Sequence, residues 1–494
     1  MNETIEFTEE VGTRHSGKTF LSNASGLLCS TLIGAIQGFT LFYYNAVVGL
    51  TTFWIAIAMT LFLIYNAVND PIFGFLIDRN LRFTRKWGRR FPWIVIGIIP
   101  WILSVYLHFS APNLPKHTSG DQAGELLDPY ILPAFMFLLL TLVLLDTFGT
   151  LVNINYKAVQ IEKFRTEHER NRFTKYYAPL DILAIVLGML LPPLFTDMIP
   201  GDAFASYSMM AAILAVIALI FGILSLPGNR EDKIMIDRFY SPDSVERMSF
   251  IKVFKEAIKT KSYVVWFIFG ICNGIWISLV VSNMLYITTF VLRVGGGMFF
   301  IIMGLNLIGT LISIPIWLKY IRKINNNKKA IVVAGFLTVA ATLPLTFFTG
   351  LIDIMIFGFI LGLVQGGLNS YIYTILGPSV VEDVIVKMGK NQKMVLFGIS
   401  ALLGRLVASI DEFIIAVVQE TTGFIAGNPT YDDMLNAVTL AGGDMNLVLW
   451  GIRFIQGVIP ALVLLVGVLI LWKFFPITQE KLISNKAKMA ELQI

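Results

Sequence analysis

The sequence predicts an all-α integral membrane protein with twelve transmembrane helices in two six-helix halves. Three observations carry this. From Thr19 to Asn69 there is no Asp, Glu, Lys or Arg, a run of 51 residues. About 20 helical residues cross a hydrocarbon core about 30 Å thick, so this run holds two spans. Comparable uncharged runs recur at Phe91–Pro115, Pro129–Leu145, Ala203–Asn229, Ser262–Leu292, Val294–Leu318, Ala330–Ile352, Ile354–Val381 and Phe454–Trp472. Finally, 14% of the residues are charged and 56% hydrophobic, whereas an ordinary soluble domain carries about 25% charge. The mean hydropathy of +0.72 agrees. Such a chain has no polar surface to cover two or three soluble domains. Its composition excludes a disordered chain, a secreted disulfide scaffold and an ordinary cytosolic enzyme. A transmembrane β-barrel is excluded too, because its strands read as alternating segments of about ten residues.

The expected spans are 24–47, 52–77, 92–110, 130–156, 179–198 and 206–227 in the first half. The second half holds 263–292, 296–318, 330–349, 352–376, 395–419 and 447–473. A turn is expected near Asn45–Thr52, and Phe91-Pro92-Trp93 marks one interfacial end. Around these spans lie an N-terminal tail (1–23), a polar central loop (228–262) and a C-terminal tail (474–494).

Loop charges set the orientation. Arg79, Arg82, Arg85, Lys86, Arg89 and Arg90 follow the second span, and Lys157, Lys163, Arg165, Arg170, Arg172 and Lys175 follow the fourth. Lys319, Arg322, Lys323, Lys328 and Lys329 follow the eighth, whereas the alternate loops hold only Lys116 and Arg293. The positive-inside rule therefore places both termini in the cytoplasm of a multi-pass plasma-membrane protein. This topology accounts for the net charge of +5 without a nucleic-acid partner. The first residues are polar and mixed in charge, so no cleavable signal peptide is expected. Cys29 and Cys272 fall inside spans and read as buried free thiols. The four histidines (His15, His108, His117, His168) make no metal-ligand spacing, and neither metal nor cofactor is expected.

Six spans, a polar stretch and six more spans form a two-repeat layout, in which transporters place their site near the midplane between the halves. More specific is Asn69-Asp70-Pro71-Ile72-Phe73-Gly74-Phe75-Leu76-Ile77-Asp78-Arg79, followed by Trp87-Gly88-Arg89-Arg90-Phe91-Pro92-Trp93. It resembles the cytoplasmic signature of the major facilitator superfamily, at Gly74, Asp78, Arg79, Gly88, Arg89 and Arg90. The form Asn-Asp-Pro-x-x-Gly, closing on Gly-Arg-x-x-Pro-Trp, is similar to the glycoside–pentoside–hexuronide:cation symporters, the melibiose-carrier family. Phe42-Tyr43-Tyr44, Val47-Val48-Gly49-Leu50, Glu169-Arg170, Gly389-Lys390 and Phe397-Gly398 extend the likeness along the chain. The resemblance implies the major facilitator fold and sugar:cation symport by alternating access. The signature reads either as a solvated, topology-setting loop or as an ion-pair gate that closes the cytoplasmic ends in the outward-facing state, since Arg–carboxylate bonds suit a contact remade in each cycle.

Ionisable residues inside spans are costly and mark function. Asp70 lies inside the second span with Asn66 one turn earlier and Asn69 beside it. The resemblance places two coupling-cation acids on this helix; Asp70 keeps one and Asn66 replaces the other. On the fourth span Asp146, Thr150, Asn153 and Lys157 form one stripe at i, i+4, i+7 and i+11. The resemblance makes Thr150 a cation-site threonine and puts Asn153 where sugar carriers have an acid. Asp146 is an additional carboxylate, and Lys157 reads as a snorkelling lysine or a substrate contact. The resemblance places Arg405 at the central cavity, with Asp70 or Asp146 of the other half as partner; the alternative is a pair with Glu412. Asp411 and Glu412 are assigned to an external-side network, and Asp181, just after Pro179, to a helix N-terminus. Ser30 and Asn153 stand where sugar-recognising members carry acids, so the substrate set reads Asn153, Arg405, Ser30 and Lys157. Ser30, Gln37, Asn273, Asn283, Asn306, Gln365 and Asn369 serve either substrate hydroxyls or helix–helix bonding.

The expectation is a monomeric secondary active transporter, coupled to H⁺ rather than Na⁺, carrying a sugar or glycoside-like solute. A lysolipid or other amphipathic solute is the alternative within the same fold. A channel lacks a continuous polar lining here, and a membrane-embedded enzyme lacks a clustered nucleophile, base or metal set.

Overall fold

The computed structural model describes residues 15–77, 84–113, 129–164, 167–195, 199, 201–233, 235–236, 250–294, 296–324, 326–371, 376–389, 396 and 406–491. Among them the chain is helical almost throughout. The transmembrane helices of the first half are α1 (Gly17–Ile36), α2 (Thr52–Ile77), α3 (Phe91–His108), α4 (Ile131–Lys163), α5 (Glu167–Ile185) and α6 (Ala203–Asn229). Those of the second half are α7 (Lys261–Ser282), α8 (Gly296–Ile324), α9 (Asn327–Thr342), α10 (Leu351–Tyr371), α11 (Leu406–Thr422) and α12 (Met445–Gln456, resuming at Val458–Phe474). Ten helices among the described residues are long and apolar enough to cross a membrane. The other two expected spans correspond to α2 and α11.

Local chemistry explains the ends. The Ser16 hydroxyl caps α1 by accepting Thr19 N–H at 3.3 Å. Beyond Ile36 the helix tightens and then widens into a π-helical turn at Tyr43–Val48. It stops at Gly49, whose φ of 96° suits glycine and reverses the chain into α2. At the other end of α4, buried Lys163 donates to the carbonyls of Gly228 and Arg230, each at 2.9 Å, and so satisfies the C-terminal carbonyls of α6.

One expected boundary is corrected. The fifth span does not begin at Pro179, because α5 already starts at Glu167 and carries Pro179 inside it. Asp181 is therefore not an N-terminal acid; its carboxylate accepts the Thr31 hydroxyl of α1 at 2.9 Å. The central loop also contains an amphipathic helix, Phe250–Lys259, that buries Val253 and Ala257.

Each half packs mainly within itself: α1 on α5 and α6, α3 on α4 and α6, α7 on α12, and α8 on α10. Lipid supplies no hydrophobic drive between helices, so close approach and hydrogen bonds decide these contacts. Across the halves α2 packs on α11, and the end of α5 meets α8. Between them lies a central cavity of about 620 Å³.

Candidate functional site

Helices α1, α2 and α4 line the cavity from the N-terminal half, and α7 and α11 line it from the other. The stripe on α4 faces it as its spacing implies, since Asp146, Thr150, Asn153 and Lys157 all lie on the cavity wall.

The Asp146 carboxylate is held from α2. Asn69 Nδ2 donates to Asp146 Oδ2 at 3.0 Å, and Asn66 Nδ2 donates to Oδ1. Both asparagines are buried. Tyr65 fixes the orientation of Asn69, because its hydroxyl donates to Asn69 Oδ1 at 3.3 Å while lying 2.5 Å from the Thr147 hydroxyl. With its carbonyl occupied, Asn69 turns its amide donors to the acid. Three predicted residues thus converge on one carboxylate, that of Asp146. Among the described residues, Asn66 Oδ1 is buried without a hydrogen-bond partner.

Farther along α4, Asn153 Oδ1 accepts the Ser30 hydroxyl of α1 at 2.7 Å, and that hydroxyl also reaches the Gly26 carbonyl at 3.2 Å. Thr150 is buried beside the cavity, and Lys157 is exposed at its rim. Asp70 and Gly74 fall on the last turns of α2, where only the backbone course is described. Arg405, Asp78 and Arg79 lie outside the described residues.

The C-terminal half brings a correction. Asp411 and Glu412 are not an external network; both line the central cavity together with Ser278 and Ser282 of α7. They are 3% and 7% exposed, and the Ser278 hydroxyl donates to Asp411 Oδ2. The sequence signal was present, two adjacent acids in an apolar helix. Their facing follows from how α11 seats against α2 and α7, which spacing alone does not reveal. Among the described residues, no group of three His, Cys, Asp or Glu gathers to hold a metal ion.

Of the predicted gate residues, Arg89 and Arg90 pair with an acid of the N-terminal half in this conformation. Arg89 Nη2 lies 3.1 Å and Arg90 Nη2 3.4 Å from Glu162 Oε1 at the end of α4. Gly88 has a φ of 89°, and a Cβ there would collide with Glu231. Glu231 Oε2 accepts the backbone N–H groups of Arg90 and Phe91 at 2.7 and 3.1 Å, capping α3.

At the face opposite the chain termini the halves are clasped. Tyr286 donates to Asn45 Oδ1 at 2.8 Å, Gly427 N–H donates to the Asn45 carbonyl at 2.9 Å, and Thr52 donates to Gln419. Phe42 meets Tyr286 edge-on with ring centroids 4.9 Å apart. The ion pairs described at the terminal face each stay within one half, such as Arg89–Glu162 and Lys481–Asp383.

A twelve-helix fold with a polar cavity between two halves defines the class, a secondary transporter. The family model described as MFS/sugar transport protein matches residues 22–479, and the chain belongs to that family. An uncharacterized symporter of Synechocystis is 26% identical over 40% of this chain, a match spanning 35% of that protein. The mouse sodium-dependent lysophosphatidylcholine symporter 1 is 21% identical over 87% of this chain and 79% of its own length. Among solved structures, the nucleoside transporter NupG superposes with a TM-score of 0.57 at 13% identity, covering 92% of this chain and all of that one. A D-xylose–proton symporter gives 0.55 at 14% identity, over 93% and 97% of the two chains. These likenesses carry the major facilitator fold.

Proposed function

We propose that this chain is a proton-coupled symporter of a sugar or glycoside-like solute in the plasma membrane, with both termini cytoplasmic. The observation that carries the reading is the Asp146 carboxylate held by Asn66 and Asn69 on the wall of a cavity between the halves. A carboxylate bound by neutral amides offers one exchangeable negative charge. Sodium favours several hard oxygen ligands, whereas one acid suffices for a proton. Asp70 and Asp146 are assigned to coupling, with Thr150 beside them. Asn153, Ser30, Lys157 and Arg405 are assigned to the solute. With the opposite face clasped, the described conformation is the inward-facing member of an alternating-access cycle, and the arginines after α2 are assigned to gating in the other member.

A second reading, a lysolipid carrier, is favoured by one finding: lysophosphatidylcholine symporters match along most of the chain. Their names specify sodium, so ion and solute are tested together. Uptake into proteoliposomes of sugars, glycosides and lysolipids, under separate pH and Na⁺ gradients, is expected to follow the pH gradient. It should fail in Asp70→Asn and Arg405→Ala. Uptake driven by Na⁺ at fixed pH sinks proton coupling, and uptake confined to lysolipids selects the second reading.

A further inference from the structure

Asp411 and Glu412 stand next to each other on α11, more than nine-tenths buried, and line the central cavity from the half that holds none of the α2–α4 coupling residues. Ser278 serves one oxygen of Asp411. Among the described residues, Asp411 Oδ1 and Glu412 Oε2 are buried with no hydrogen-bond partner. An ionised carboxylate in a low-dielectric interior needs donors or a nearby cation, and two adjacent ones also repel.

The surroundings offer little compensation. On α2, Tyr65 is engaged with Asn69 and Thr147, and Asp70 adds a further acid. On α7 the titratable groups are Lys261 at the far terminal end, Tyr263 and Cys272. Tyr286, just beyond α7, gives its hydroxyl to Asn45. On α12, Arg453 donates to the carbonyls of Phe348 and Thr346 at 2.6 and 3.3 Å. Asp146 and Lys157 line the same cavity from α4. Arg405, seven residues before Glu412 in the sequence, lies outside the described residues. The two unpartnered oxygens are closed off from solvent, so a ligand that fits them has no bulk.

We propose that the Asp411–Glu412 pair is a second proton-binding site, carried by the C-terminal half, and that loss of its proton is linked to opening of the clasped face. Release, in the state where the clasped face has opened and water reaches these oxygens, breaks one carboxyl O–H bond, passes the proton to that water and leaves the electron pair on a carboxylate. The site depends neither on which solute is carried nor on Asp70.

The test uses the full chain in lipid nanodiscs. Infrared spectra are expected to show a protonated-carboxyl C=O band that shifts in D₂O and fades as pH rises. The double variant Asp411→Asn, Glu412→Gln should lose it, while Ser278→Ala should move its frequency and keep it. For the linkage, Thr288→Cys is labelled with a maleimide in a Cys29→Ala, Cys272→Ala background. Its rate, divided at each pH by that of a solvent-exposed control cysteine to remove the change in thiolate fraction, should change with pH by up to about tenfold per unit, the limit for a one-proton switch, and that ratio should be flat in the double variant. An undiminished band, or a pH dependence of the control-corrected labelling ratio that survives in the double variant, overturns the proposal. If the double variant is not monodisperse, a band unmoved by Ser278→Ala does so alone.

Discussion

Tyr286 donates its hydroxyl to Asn45 Oδ1 at 2.8 Å, joining the end of the first transmembrane segment to that of the seventh, with both residues fully buried. Asn45 is also fixed in itself, its amide donating to the Leu50 carbonyl at 3.2 Å and its own carbonyl accepting Gly427 N–H at 2.9 Å. One residue thus serves three segments from both halves. The clasp exists only while this face is shut, so its energy acts on one conformation.

Tyr286→Phe keeps the ring against Phe42 and removes only the donor. A buried acceptor left unpaired costs about 1–3 kcal/mol, which shifts a two-state equilibrium by roughly 5- to 150-fold. Maleimide labelling of Thr288→Cys, buried two residues beyond Tyr286, should rise by a factor in that range. An unchanged rate would show that the bond does not hold the face closed.

Asp146 separates structural from coupling roles. Asp146→Leu strands the amides of Asn66 and Asn69 in a buried site, each loss costing about 1–3 kcal/mol, and should lower the melting temperature clearly. Asp146→Asn retains an acceptor oxygen, so it should melt near the native value yet abolish uptake driven by a pH gradient. Uptake that still follows the gradient in Asp146→Asn removes Asp146 from coupling.

Much of this is legible in the sequence. Uncharged runs marked the helices because crossing a bilayer demands them, and the four-residue spacing on α4 already put Asp146, Thr150, Asn153 and Lys157 on one face. What spacing cannot express is which residue of another helix meets that face. Asn66 and Asn69 meeting Asp146, Tyr65 turning Asn69, and Asp411 and Glu412 facing inward all depend on how helices seat against each other. Pro179 misled for a related reason: proline often opens a helix, but here an earlier turn had already begun at Glu167.

At the terminal face, His15 links the N-terminal tail to α5 and the central loop. Its Nδ1 is 2.7 Å from Glu169 Oε1 and its Nε2 is 3.1 Å from Asp232 Oδ2. The bond with Asp232, helped by Glu169 and opposed by burial, raises its pKa above the ordinary 6.5. A raised folded-state value means the stabilisation is complete below about pH 6.5 and is lost as pH climbs through the folded-state pKa. Partial exposure and salt screening keep it under about 1 kcal/mol. Melting curves of native protein and His15→Gln should therefore differ slightly at mildly acidic pH and converge in alkaline buffer. A gap that widens with pH would reverse the assignment.

Gly358, Gly362 and Gly366 form one stripe on α10 against α8, and the contact is backbone on backbone. A Cβ on Gly362 would lie 2.1 Å from the Asn306 carbonyl oxygen, while Asn306 Nδ2 donates to the Gly358 carbonyl at 3.0 Å. Small residues at four-residue spacing allow such approach, and in lipid this packing takes the place of hydrophobic drive. A main-chain oxygen cannot rotate aside, so Gly362→Ala must part the helices and stretch the Asn306 bond, at about 1–3 kcal/mol. Gly270, with nothing within 4 Å of a Cβ, is the matched control, and Gly270→Ala should stay within about 0.5 kcal/mol. Thermal unfolding in nanodiscs should rank the two variants in that order. Equal melting temperatures would mean that α8 and α10 have slack that this close contact denies.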